Sequence, residues 1–135
     1  MDSDARTFPP RPLRGVRAVY ARQASCPSDF ADVTVDFEPG EEGCGFEVAA
    51  QLTTRGSVTQ AELATYSSAL ATGIREELAE LGAGTTAAVA VVLRHMHVHE
   101  VDSHPASFRA VGRVAVRNAL ALAYGPSPMP DSRSA

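Results

Sequence analysis

"TTAAVAVVLRHMHVHEVDSHPASFRAVGRVAVRNAL" spans residues 85–120 and contains every histidine of the chain. Residues 85–93, "TTAAVAVVL", are apolar on both parities, which predicts a central strand with one face under helices. "VDSHP" (101–105) then opens a helix. Ser103 or His104 can cap it, and Pro105 falls in the first turn, where its missing N–H costs nothing. Phe108, Val111, Ala115 and Leu122 mark the buried side of this helix, and Gly125 and Pro126 end it.

Between strand and helix, His95, His97 and His99 alternate with Met96 and Val98. On a strand they share one face, with successive imidazoles about 6.6 Å apart. Such a pair is workable for zinc or copper, with Asp102 or His104 as a third ligand. The competing reading, which we favour, is a solvated strand end or partner-facing tip, because no outer hydrogen-bond partners are evident to orient three imidazoles. Asp102 and Ser103 are read as structural, helix-capping residues rather than as part of a Ser-His-Asp set. There is no G-x-S-x-G elbow to present a nucleophile.

Upstream, "TQAE" (59–62) fits a capping box in which Thr59 caps and Glu62 reaches back. Leu63, Leu70, Ile74, Leu78 and Leu81 follow at helical spacing, and Gly82 and Gly84 supply the stop, predicting a helix of about 22 residues. "GVRAVYARQ" (15–23), "DVTVDFEP" (32–39) and "FEVAAQL" (46–52) alternate as strands, and short loops predict that they pair consecutively as an antiparallel meander. Residues 1–13 and 125–135 read as flexible tails around one folded domain, 14–124. The order β-β-β-α-β-α makes this an α+β two-layer sandwich with Val35, Phe37, Leu70, Ile74, Leu78, Val91 and Phe108 in its core.

Composition narrows the function classes. The 135 residues are 44% hydrophobic and 21% charged, ordinary for a globular domain. No apolar run approaches the ~20 residues of a membrane span, and the proline-rich start does not read as a secretory signal, so a cytoplasmic location is expected. A net charge of −4 argues against a protein basic all over. All basic residues are arginine, and Arg109, Arg113 and Arg117 form one stripe on the last helix, with Arg94 as a possible extension. That stripe can track RNA phosphates, or it can be a solvated face paired with acidic residues of the first helix. Cys26 and Cys44 lack metal-type spacing and read as free thiols, with an unreactive Cys26 favoured.

"HEVDSHPASFRAVGRVAVRNAL" (99–120) resembles the end of the fourth domain of translation elongation factor G. There a strand leads through a His-acidic-Val-Asp-Ser segment into a helix with an early phenylalanine. His99, Val101, Asp102, Ser103 and Phe108 match in register. "ALATGIREELAELG" (69–82) is similar to the family's preceding helix, with Gly73, Ile74 and Leu78 matching. The resemblance covers roughly residues 15–123. It implies a two-layer fold with a left-handed β-α-β crossover, shared with several ribosomal proteins. It also implies a tip that reaches the decoding region of the small ribosomal subunit, formed by loops near 23–31 and 95–99 here. The family's first tip loop is glycine-rich and carries an arginine; "QASCPSDFAD" (23–32) has neither. Of the family's second tip loop only the histidine remains.

The expectation is therefore a stand-alone translation-factor-like domain that is not an enzyme and needs no cofactor. It would bind the ribosome or structured RNA through His95, His97, His99, Arg94, Arg109, Arg113 and Arg117. No GTP binding is expected, since the chain has no G-x-x-x-x-G-K-[ST] loop. The alternatives are a protein-interaction module, such as a homodimer, and a metal-binding protein using the histidines.

Overall fold

A computed structural model describes residues 6–22, 29–100 and 102–125. The elements run β1 (Arg6–Phe8), β2 (Leu13–Arg22), β3 (Asp29–Pro39), β4 (Gly43–Arg55), α1 (Gln60–Leu78), β5 (Thr85–His97) and α2 (Pro105–Tyr124). The alternation of β3 sends Val33, Val35 and Phe37 into the core, where none has any exposure. Its polar parity carries Asp32, Thr34, Asp36 and Glu38 on the opposite, open face of the sheet. The expected core residues Val35, Phe37, Leu70, Ile74, Leu78, Val91 and Phe108 are all buried.

The strand pairing differs from a consecutive meander. β2 and β3 do form an antiparallel pair, but β4 does not continue it. Instead β5 lies between β3, antiparallel, and β4, parallel. β4, α1 and β5 thus form a parallel β-α-β unit. The run of apolar residues on both parities in β5 is explained by this central place. A second difference lies in the stretch expected to be tail. Arg6–Phe8 is a strand parallel to the start of β5, and Phe8 is fully buried against Phe37, with ring centroids 5.8 Å apart. Leu13 is buried too, so the folded unit begins earlier than residue 14.

α1 starts as its sequence predicts: Thr59 Oγ1 accepts from the Glu62 N–H at 3.0 Å, and Glu62 accepts from the Thr59 N–H at 3.0 Å. Such a cap stabilises by about 1 kcal/mol. The helix is shorter than expected, ending at Leu78. α1 and α2 cross where Gly73 faces the Arg109 carbonyl and Gly112 faces the Leu70 carbonyl. A Cβ at Gly73 would overlap that carbonyl oxygen, so the two backbones meet with no side chain between them. Behind this crossing, Tyr66 stacks on Phe108, with ring centroids 4.5 Å apart.

Candidate functional site

The histidines reach the open face because of a bulge. In β5 the residues Val89, Val91 and Leu93 point into the core, but between the pairs Val35–Leu93 and Thr34–His95 one extra residue, Arg94, is inserted. The parity then switches: Met96 and Val98 become the buried residues, and His95 and His97 turn to the open side. Arg94 itself bonds Asp36 at 2.7 Å.

β4 is irregular at the same level. It takes five steps, from Val48 to Thr53, while β5 takes two, from Leu93 to His95. Beyond that interruption Thr53 lies beside His95, and Arg55 beside His97. Thr53 Oγ1 and His95 Nδ1 are 2.7 Å apart. The strand then closes down: Val98 N–H donates to the Arg55 carbonyl at 2.8 Å. Gly56, at φ +90°, passes so close to the Val98 carbonyl that a Cβ would overlap it.

Phe30, at the start of β3, sits between two imidazoles. Its ring centroid is 5.0 Å from that of His97 and 5.5 Å from that of His99. His97 Nδ1 lies 4.0 Å from Asp32, and His99 Nδ1 lies 3.2 Å from Asp102. Burial, with the positive charge of Arg55 next, holds the His97 pKa below the ordinary histidine value, against the pull of Asp32. His97 is therefore mainly neutral at pH 7.

Ser103 performs a different task from the capping expected of it. Its hydroxyl accepts from the His99 N–H and donates to the Phe30 carbonyl, both at 2.8 Å. Its own N–H donates to the His99 carbonyl, and the Phe30 N–H donates to the Asp102 carbonyl. The residue at the helix N-cap is His104, whose N–H is accepted by Ser107 Oγ. Ser107 Oγ in turn lies 3.0 Å from Asp29. The turn from His99 to Ser103 and the start of β3 are thus knotted together. This brings residues 29–30 and 95–99, parts of the two expected tip loops, to the same end of the molecule. Residues 23–28, with Cys26, lie outside the described residues. Cys44 is half-buried, and burial pushes its thiol pKa up, which makes it a poor nucleophile.

The arginine stripe is paired with carboxylates. Arg109 is paired with Glu76, Arg113 with Glu76, Glu77 and Glu80, and Arg117 with Glu77. Glu76 and Glu77 come from α1 and Glu80 from the turn just after it, and the bond from Arg109 holds the Glu76 pKa below the ordinary carboxylate value. Among the described residues no group of three or more His, Cys, Asp or Glu side chains is arranged to hold a metal.

A mixed sheet with two packed helices on one side, an open face on the other and two connections knotted at one end defines a small α+β domain of the translation-factor type. The family model for elongation factor G, domain IV, matches residues 10–124, and the chain belongs to that family. A crystal structure of a protein from Thermus thermophilus is similar over 87% of this chain, with a TM-score of 0.67 and 25% identity. The chain spans only 16% of that protein's length. No helix among the described residues is long and apolar enough to cross a membrane.

Two residues of this end escape a reading of the sequence alone. Phe30 is the apolar residue just before an alternating strand, and Arg55 lies in a stretch that reads as a polar loop. A strand ending with polar residues at i and i+2, as Thr53 and Arg55 do, is the available signal.

Proposed function

We propose that the domain is a non-catalytic binding module that engages the ribosome, or structured RNA, through its knotted end, as a translation-associated protein of the cytoplasm. The observation that carries this is the convergence of residues 29–30 and 95–99, tied by Ser103, in a chain of the elongation factor G domain IV family. His95, His97 and His99 are the proposed contacts. The ion pairs of Arg109, Arg113, Arg117 and Arg94 make these arginines poorer candidates, since a phosphate would have to displace a carboxylate from each. Co-sedimentation with purified ribosomes tests the proposal. Binding at low salt that weakens steeply as salt rises is the expected outcome. A protein that stays in the supernatant at low salt would rule it out.

One observation favours a second reading, self-association. Among the described residues β2 pairs only with β3 and β4 only with β5, so each presents a row of main-chain groups outward. Light scattering at rising concentration separates the two: a dimer by edge pairing requires the mass to double.

A further inference from the structure

We propose that the strip of β4 and β5 formed by Thr53, Arg55, His95 and His97 is a seat for an RNA backbone phosphate. The proposal rests on the ribosome- or RNA-binding reading and moves its anionic contact from the helices to the sheet.

The arginines fall into distinct groups. Arg14, Arg17 and Arg94 are held by Glu38, Asp32 and Asp36. Arg109, Arg113 and Arg117 are held by glutamates of α1. Arg75 points its guanidinium at the Cys44 carbonyl, Arg11 at the Leu122 carbonyl, and Arg6 lies over the Tyr124 ring. Arg55 is exposed and has no carboxylate within ion-pair distance among the described residues. It is also the arginine set beside imidazoles, as the register pair of His97 in adjacent parallel strands, with Thr53 beside His95 two residues earlier. Neighbouring strands lie about 4.8 Å apart, so the four side chains cover one compact polar patch.

The donors suit a phosphodiester. A guanidinium supplies a forked pair of N–H groups, each protonated imidazole one more, and Thr53 a hydroxyl. Asp32 borders the patch, but Arg17 bonds both its oxygens, at 3.1 and 2.7 Å, and this shields an incoming anion from its charge. The charged and titratable groups facing His97 are Asp32 and Arg17 from β3 and β2, Arg55 from β4, and His95 and His99 beside it. An anion seated between Arg55 and His97 favours the imidazolium, so it binds more tightly as pH falls below the ordinary histidine range towards the lowered pKa of His97.

The test uses the full chain with two probes, purified ribosomes and a short fluorescein-labelled oligouridylate. Arg55→Gln is expected to weaken binding roughly tenfold and to lower the log–log salt slope by about one contact. Arg113→Gln, with unchanged circular dichroism, is expected to leave both as they are. In His95→Gln/His97→Gln the strengthening at lower pH disappears. If wild type binds ribosomes and Arg55→Gln binds them with the same affinity and slope, the phosphate seat is wrong while the ribosome-binding reading stands. If wild type does not bind ribosomes, that reading fails. The seat is then judged by oligouridylate titration followed through the imidazole proton resonances. Shifts at His95 and His97 support it, and their absence overturns it.

Discussion

The two sides of this domain use the same residue type for opposite ends. On the helical side, three arginines at i, i+4 and i+8 meet three glutamates across the α1–α2 crossing and form a closed network. On the sheet side, Arg55 stands among histidines with no carboxylate of its own among the described residues. The helical stripe is conspicuous in sequence and neutralised in space; the sheet residue is inconspicuous in sequence and available in space. Exposure alone does not separate them, since the side chains of Arg109 and Arg117 are 57% and 58% exposed. What separates them is whether a carboxylate lies within bonding reach.

The largest effect should come from breaking the crossing that makes the helical network possible. Gly73→Val drives a side chain into the Arg109 carbonyl and forces the helices apart, and a loss of about 3 kcal/mol is expected in urea unfolding. A midpoint within error of wild type would show that the helices tolerate separation and that the network does not depend on their closeness.

Next comes Ser103→Ala at the other end. It leaves the His99 N–H and the Phe30 carbonyl without their shared partner, at a cost of about 2 kcal/mol. Amide hydrogen exchange should speed up at residues 29–30 and 98–100 and stay unchanged on α1. A uniform change over the domain would mean that the knot is part of the global core rather than a local tie.

The triple variant Glu76→Gln/Glu77→Gln/Glu80→Gln tests the contrast directly. Arg109 and Arg117 are largely exposed and Arg113 is half-buried, so the urea midpoint should fall modestly, and the part of the fall that comes from the exposed pairs should shrink at high salt. Oligouridylate binding should improve, because three arginines are released. No improvement would mean that the stripe is unsuited to phosphates for a reason other than its ion pairs.

The smallest effect is the titration of His97. Its folded-state pKa is depressed, so the neutral ring is favoured by folding. That contribution is fully present above the unfolded value of about 6.5 and is lost as pH falls below it towards the folded pKa. His97→Gln should flatten the fall in the urea midpoint between neutral and mildly acidic pH, relative to wild type. An identical fall in both would assign the pH dependence to other groups.

The parts of this structure that can be read from sequence are those set by neighbours in the chain. The alternation of Val33, Val35 and Phe37 against Asp32, Thr34 and Asp36 is a local pattern, and so is the Thr59–Glu62 box. The similarity at His99–Phe108 adds the topology class. What cannot be read depends on partners far along the chain. β1 is three residues between acidic and proline-rich sequence, and only its parallel pairing with Thr85–Ala87 makes it a strand. β4 follows β3 closely yet pairs with β5, because the crossover through α1 places it there. The His95–His97 face depends on the inserted Arg94, and no composition rule announces a bulge. The task of Ser103 escapes the sequence because a hydroxyl before a helix usually caps it, whereas here Phe30 and His99 compete for it successfully.

The way the chain enters and leaves the fold has a further consequence. Tyr124, at the end of α2, donates its hydroxyl proton to the Thr7 carbonyl at 3.1 Å, and its ring lies under the Arg6 guanidinium. The two ends of the folded unit therefore share one spot on the surface. A body built this way can be spliced into a surface turn of a larger host with both junctions side by side, and neither the host nor the guest has to stretch. Such a guest hangs as a pendant lobe, and its opposite pole is carried outward as far as the lobe is long. A relabelled chain order, with the present ends joined by a short glycine-serine bridge and new ends opened at the Gly40–Glu42 turn, should fold with the same circular dichroism spectrum.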